Sequence, residues 1–291
     1  MEIKISNDTI DESIIGELIS EKKNKNVKDL LHQGKKEIIN LGFYPWDIIV
    51  FPKNRILCSN YGNKNLTLHD EAGNLIRLLD KINGSLFQPC GIAFDEEENN
   101  LFITDLLMHQ IIMTDIEFNK IKTVGSAGEE NNQFNSPVGI CFKNGNLYVC
   151  DHGNKRIKMF SKDLEFIKSL NVDYGPSLIK ATDSLICVQS FSSPNFFYMY
   201  QLGDLVLHRT IDSTNLCFKI SVINSLFYRC NFKRKTILCY NEDGNLDEEI
   251  ILSNLDDNII SGQNDGMIVE LNGKLYMTSN SKGKLVIITQ N

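Results

Sequence analysis

Several features that commonly assign a function are missing from this sequence of 291 residues. Its eight cysteines include no Cys-x-x-Cys pair, which argues against a zinc or dithiol site and favours structural thiols. No apolar run reaches the roughly 18 residues of a membrane-spanning helix. A phosphate-binding loop, a dinucleotide fingerprint and a Ser-His-Asp spacing are absent too. We therefore expect no cofactor, no bound metal and no local catalytic motif.

An excess of basic residues is missing as well. The chain has 30 lysines and arginines against 37 aspartates and glutamates, a net charge of -7. Because binding to duplex phosphates needs clustered basic side chains, we expect no DNA partner, while a local basic patch stays open. The first residues, MEIKISNDTIDES, carry acids where a secretory signal needs an apolar core. The expectation is a cytoplasmic protein that does not contact membranes.

A unit of short apolar runs recurs along the chain. Residues 146–161 read NLYVCDHGNKRIKMFS, residues 55–70, 100–115 and 274–289 repeat the pattern, and residues 184–200 and 225–240 are weaker copies. Turn pairs such as Asn144-Gly145 separate the first two runs, and such pairs are the strongest hairpin signal in a sequence. These turns return roughly every 40 to 50 residues, the length of a four-stranded propeller blade.

The apolar runs and the ends of the chain predict how the blades are assembled. Residues 147–150 are all apolar, which is typical of a strand packed between two neighbouring sheets. The last copy stops after its third run, and KKEIINLG at 35–42 supplies a matching fourth run. The sequence therefore predicts an all-β fold in residues 35–291. It is a six-bladed β-propeller of four-stranded antiparallel blades, closed by an N-terminal strand at 36–42.

Residues 1–34 are predicted to form a short helical extension. Thr9 to Glu12 has the spacing of a capping box, and the isoleucines and leucine between positions 10 and 19 share one helical face. A second segment, VKDLLHQG, has Gly34 in place to cap its C-terminus. The apolar stripe serves either docking on the flank of the ring or a partner interface, and we favour docking.

The segment GSAGEENNQFNSPVGICFKNGNLYVCDHGNKRIKMF at 125–160 resembles the repeat of the NHL family. The similarity includes the glycine-containing segment before the first strand, the Phe-x-x-Pro-x-Gly-Ile run, Asp151, Asn154 and Arg156. Other copies match less well, and their spacing extends the resemblance over residues 36–290. It implies a ring used mostly as a binding platform, as in the NHL domains of tripartite-motif proteins that bind RNA or protein partners. Related six-bladed rings include secreted lyases and metal-dependent lactonases.

An up-and-down blade sorts its loops onto two faces of the ring. The face that carries the turns between the first and second strands and between the third and fourth strands is called the "turn face". The "loop face" carries the second-to-third loops and the connections between blades. The turn face is predicted to collect acids, including Asp70, residues 95–98 and Asp115. The second-to-third loops gather the cationic and histidine side chains of Lys64, His109, His152, Lys155, Arg156, Lys233, Arg234, Lys235 and Lys282.

The strongest basic patch is YRCNFKRK at 228–235. Cations beside an exposed aromatic suit single-stranded RNA or an acidic peptide, and a solvated lysine-rich loop explains the same residues equally well. The candidate ligand-binding residues are Arg229, Phe232, Lys233, Arg234, Lys235, Lys64, His152 and Lys155.

Other polar residues of the repeat are better explained by structure. Asp151 and Arg156 stand at the two ends of one loop, and Asp105 repeats the first position, so a structural bracket is favoured over catalysis. Pro137 and Gly139 are assigned to blade geometry in the same way. The histidines occupy different places in their loops, which does not build a metal cluster.

Two hypotheses of different classes follow. The first is a non-enzymatic recognition module that binds a protein partner or single-stranded RNA through the loop face. The alternative is a hydrolase or lyase with a metal in the central channel, which only the related rings motivate. The side chains that line the channel would discriminate between the two hypotheses.

Overall fold

The computed structural model describes residues 27–31, 33–42, 45–190, 196–212, 219–231, 234–252, 266–279 and 283–290. Strand β1 (Lys35–Asn40) comes first. Blade 1 contains β2 (Asp47–Phe51), β3 (Arg55–Asn60), β4 (Asn65–His69) and β5 (Leu75–Leu79), and a small hairpin of β6 (Lys81–Ile82) and β7 (Ser85–Leu86) follows it. Blade 2 contains β8 (Pro89–Asp95), β9 (Asn100–Asp105), β10 (Gln110–Thr114) and β11 (Lys120–Val124).

The remaining strands form four further blades. Blade 3 contains β12 (Pro137–Lys143), β13 (Asn146–Asp151), β14 (Arg156–Ser161) and β15 (Phe166–Asn171). Blade 4 contains β16 (Pro176–Ala181), β17 (Leu185–Ser190), β18 (Phe196–Gln201) and β19 (Leu207–Asp212). Blade 5 contains β20 (Ile220–Ile223), β21 (Leu226–Asn231), β22 (Thr236–Tyr240) and β23 (Leu246–Ile251). Blade 6 contains β24 (Ile268–Leu271), β25 (Lys274–Ser279) and β26 (Lys284–Thr289), and β1 completes it.

The N-terminal strand closes the ring. Strand β1 pairs antiparallel with β26 over its whole length, with Ile38 opposite Val286 and Asn40 opposite Lys284. Strand β1 therefore fills the outer strand position of blade 6. The backbone edge of β26 is paired with it and is not exposed. The predicted six-bladed propeller with N-terminal closure is confirmed.

The middle strands of the blades are buried on both sides. All six residues of β9 are buried, and so are five of the six in β13. Each blade lies between two others, so neither side of its middle strands faces water. This packing is the physical reason for the apolar runs without alternation.

Glycines let the first strands approach one another around the ring axis. A Cβ on Gly139 would lie 2.9 Å from the Cα of Leu178 in the next blade, and one on Gly91 would lie 2.6 Å from the carbonyl oxygen of Val138. Both glycines fall where the pairing of their strand with the second strand is irregular. The Pro-x-Gly pattern is thus a requirement of close blade packing.

The end of the N-terminal extension docks on the ring. Residues 27–31 are helical, and the side chains of Val27, Leu30 and Leu31 are fully buried against blades 5 and 6. The amide of Gly34 donates to the carbonyl oxygen of Leu30 at 2.9 Å. The capping box at 9–12 and the helical face at 10–19 lie outside the described residues. Within the described ranges, no helix is long and apolar enough to cross a membrane.

Candidate binding face

Hydrogen bonds group the loops onto the two faces. On the turn face, the amide of Lys162 donates to the carbonyl oxygen of Gly145 at 3.0 Å, so the two kinds of turn in blade 3 are neighbours. On the loop face, the amide of Gly153 donates to the carbonyl oxygen of Asn135 at 2.8 Å. The second-to-third loop of blade 3 therefore contacts the connection that leads into that blade.

Asp151 organises this part of the loop face from a fully buried position. One carboxylate oxygen accepts the amide of Asn135 at 2.7 Å. The other accepts the side-chain amide of Asn154 at 2.9 Å and Nε of Arg156 at 2.7 Å. The same guanidinium donates to the carbonyl oxygens of Glu129 at 2.5 Å and Gln133 at 3.1 Å. This ion pair ties a loop to a connection, and the carboxylate has no exposure to a ligand.

Asp105 repeats the arrangement in blade 2 and is also fully buried. Its Oδ1 accepts the amides of Gln88 at 3.0 Å and Leu107 at 3.1 Å, and its Oδ2 accepts Nε2 of Gln110 at 3.1 Å. The backbone of the 105–110 loop is thereby held in one conformation. Leu107 and Met108 of this loop are exposed.

Three large apolar side chains are exposed on neighbouring loops of the loop face. Tyr61 is 42% exposed, Leu107 is 47% exposed and Met108 is 54% exposed. Gln88 joins their two loops, since its Nε2 donates to the carbonyl oxygen of Tyr61 at 3.4 Å while its amide is bound to Asp105. We call Tyr61, Leu107 and Met108 the apolar ridge. The charges of the second-to-third loops did not indicate this ridge, whereas the LLM run inside DLLMHQ was an available signal.

The two loop-face histidines make contacts between blades. Nδ1 of His109 accepts the amide of Ser136 at 2.9 Å, and Nδ1 of His152 lies 3.1 Å from the carbonyl oxygen of Pro176. Within the part of the chain that the structure describes, no group of three or more His, Cys, Asp or Glu side chains is placed to hold a metal ion.

The structure separates the residues of the predicted basic patch. Lys64, Lys155 and Arg234 are exposed and Lys235 is half-buried, while Phe232 and Lys233 lie outside the described residues. The placement of Arg229 on this surface was wrong. It is a fully buried residue of β21, and its guanidinium carbon lies 4.9 Å from the ring centre of Phe197 in blade 4. Residues 228–235 are not one loop, because β21 continues to Asn231 and packs between blades.

The central channel is lined by the first strands of the blades. Its walls are mostly apolar, with Ile49, Phe94 and Val222 among them, and they enclose a cavity of about 320 Å³. Nζ of Lys180 in blade 4 donates to Oδ1 of Asp47 in blade 1 at 2.8 Å. Blades 1 and 4 are opposite in a ring of six, so this ion pair crosses the channel.

Comparison with known proteins bears directly on blade 3. The family model described as NHL repeat matches residues 134–160. Blade 3 thus contains an NHL repeat. The match covers the entry into the blade, the first hairpin and the loop held by Asp151. It lies within residues 125–160, the segment that carries the resemblance.

Curated NHL relatives are similar over part of the ring. The NHL repeat-containing protein 2 of Gallus gallus is 30% identical over 115 residues, which is 36% of this chain and 16% of that protein. The Homo sapiens protein of the same name is 30% identical over 102 residues, 31% of this chain and 14% of the relative. The matched region thus spans less than a fifth of the length of either relative.

Solved structures share the fold of this ring. The virginiamycin B lyase of Staphylococcus aureus superposes with a TM-score of 0.63 at 12% identity, covering 89% of this chain and 100% of the lyase. A streptogramin B lyase superposes with a TM-score of 0.62 at 10% identity, covering 88% of this chain and 98% of that structure. At such identities the likeness concerns the architecture alone.

Proposed function

We propose that the ring is a non-enzymatic recognition module that binds a protein partner through the loop face of blades 1 to 3. The observation that carries this proposal is the apolar ridge. Exposed apolar side chains that lie together are typical of protein interaction sites, and tyrosine and methionine are enriched in such interfaces. The cytoplasm is the proposed compartment, on the sequence evidence given above.

The rigidity of the ridge supports binding. Buried Asp105 accepts the amide of Leu107 itself and the amide of Gln88 in the connection that leads into blade 2. The loop is therefore ordered before binding, and docking of a partner costs little further conformational entropy. Lys64 and Lys155 are exposed on the same face and supply positive charge beside the apolar contacts. Because Arg229 is buried, the surface at 228–235 offers fewer cations for RNA phosphates than the sequence had indicated.

The test substitutes two side chains of the apolar ridge and, as a control, two exposed apolar side chains on another surface of the ring. Leu107→Asp with Met108→Asp removes two ridge side chains, while Leu246→Asp with Ile251→Asp changes two residues of β23 that are 52% and 61% exposed. Proteins captured by the wild-type ring after cross-linking are quantified by mass spectrometry for all three baits. We expect partners that bind through the ridge to fall about tenfold or more for the first variant only, since burial of one such side chain contributes about 1.5–3 kcal/mol.

Two outcomes would contradict the proposal. Equal capture by all three baits would remove the ridge as a binding surface. An RNA ligand would be recognised by titrating a random single-stranded pool at about 50 and 200 mM salt, where several phosphate contacts weaken affinity by orders of magnitude. Tight binding with that salt dependence would assign the face to RNA.

A further inference from the structure

The channel mouth on the turn face is a second candidate site, separate from the loop face. Side chains near the ends of the first strands surround it, with contributions from all six blades: Val50, Phe94, Phe142, Ala181, Val222 and Val269. These residues are half-buried, so the cavity of about 320 Å³ is in contact with solvent. A concave, mostly apolar space of this size is typical of a small-molecule site.

The far end of the cavity is electrically balanced. The charge of Lys180 is compensated by Asp47, which is 1% exposed and also accepts the amide of Ile92 at 3.1 Å. Nζ of Lys219 lies 4.8 Å from the ring centre of Trp46 and donates to the Trp46 carbonyl oxygen. A ligand in the channel therefore meets apolar walls and a cation that already has a partner.

The charge at the rim comes from Glu96. Asp95 accepts the amides of Glu97 at 3.0 Å and Glu98 at 3.4 Å, which fixes the turn, and Glu98 pairs with Lys162. Glu96 is exposed and makes no hydrogen bond or ion pair with any residue that the structure describes.

A second cavity extends the site past Glu96. It measures about 200 Å³ and shares Val50, Phe94 and Glu96 with the channel mouth. Lys53 lines this second cavity only. Glu96 thus borders both cavities, whereas Lys53 borders one.

We propose that the channel mouth binds an amphiphilic organic cation, with its apolar body among the six channel side chains and its protonated amine at Glu96. The apolar walls favour the body of the ligand through burial of its surface. Complementary charge at the rim selects the amine over a carboxylate of the same shape. The site lies on the opposite face from the apolar ridge and does not depend on the proposed function.

The test uses two probes with the same body and opposite charge, n-octylammonium and octanoate, measured by calorimetry with the 291-residue chain. We expect octylammonium to bind with a dissociation constant on the order of 1 mM, and octanoate to bind at least about fivefold more weakly. Glu96→Gln should weaken octylammonium about two- to fivefold and leave octanoate no weaker.

The second part of the test fills the channel mouth with larger side chains. Val222→Trp should abolish octylammonium binding, and Val206→Trp, at a position that is 58% exposed outside the channel, should not change it. Ala181→Leu is the milder filling variant, and thermal unfolding verifies that each variant is folded. Unchanged binding in the folded filling variants, equal binding of both probes, or no octylammonium binding up to about 10 mM would overturn the proposal.

Discussion

The ion pair across the channel gives the sharpest prediction about the ring itself. Lys180→Met keeps most of the side-chain volume of the lysine but removes its ammonium group. Among the residues that the structure describes, the carboxylate of Asp47 then keeps the amides of Ile48 at 2.9 Å and Ile92 at 3.1 Å as donors in the interior. We expect the free energy of unfolding to fall by about 2–4 kcal/mol.

The size of this loss follows from burial. Removal of one partner from a fully buried ion pair costs about 3–5 kcal/mol, because the remaining charge is uncompensated. Asp47 meets that condition with a side chain that is 1% exposed, whereas the side chain of Lys180 is 14% exposed. Water that reaches the lysine site would solvate part of the uncompensated charge, which lowers the expected cost below the top of the range.

Equilibrium unfolding in urea measures the effect, with Lys143→Met as the matched control. Lys143 is also on a first strand and pairs with Asp183, but the two side chains are 31% and 78% exposed. An exposed pair of this kind contributes about 0–1 kcal/mol. The double variant Asp47→Asn with Lys180→Met should lose less than the sum of the single losses. Equal losses for Lys180→Met and Lys143→Met would refute the argument from burial.

Three further predictions concern buried groups. Burial, with a smaller effect of nearby Arg156, lowers the pKa of Lys158 to about 8. Between pH 8 and the ordinary pKa of 10.5, the unfolded chain therefore binds more protons than the folded chain. As pH rises through this window, the free energy of unfolding in urea should increase by about 1–3 kcal/mol relative to that of Lys158→Met. Gly139→Ala should lower the free energy of unfolding in urea by about 1–3 kcal/mol through overpacking, and by more than Gly62→Ala, whose Cβ would meet nothing within 4 Å. Burial raises the pKa of Cys58 and Cys141 to about 12, so thiol reagents at pH 8 should label both only after unfolding, as peptide mapping would show.

The fold was predictable because its signals are local and repeated. An Asn-Gly pair specifies a hairpin wherever it occurs, and a short apolar run without alternation specifies a strand buried on both sides. Six such units and a matching strand at 36–42 leave a closed ring as the arrangement without open edges. The structure has this closing strand at Lys35–Asn40, within two residues of the predicted limits.

The candidate sites were less predictable because exposure belongs to the assembled ring. Arg229 and Leu107 show this in opposite directions. The arginine lies in a basic run and is buried between blades, whereas the leucine lies in an apolar run and is 47% exposed. Chemical type alone indicates the reverse for both residues.

The sequence by itself determined the number of blades, their strand order, the closure and the bracket formed by Asp151 and Arg156, five residues apart in one loop. Each of these depends on neighbours along the chain or on a pattern that the chain repeats. Only the tertiary structure decided which loop side chains form the apolar ridge and what lines the channel. Asp47 and Lys180 are 133 residues apart, and they meet because the ring brings opposite blades to a common axis.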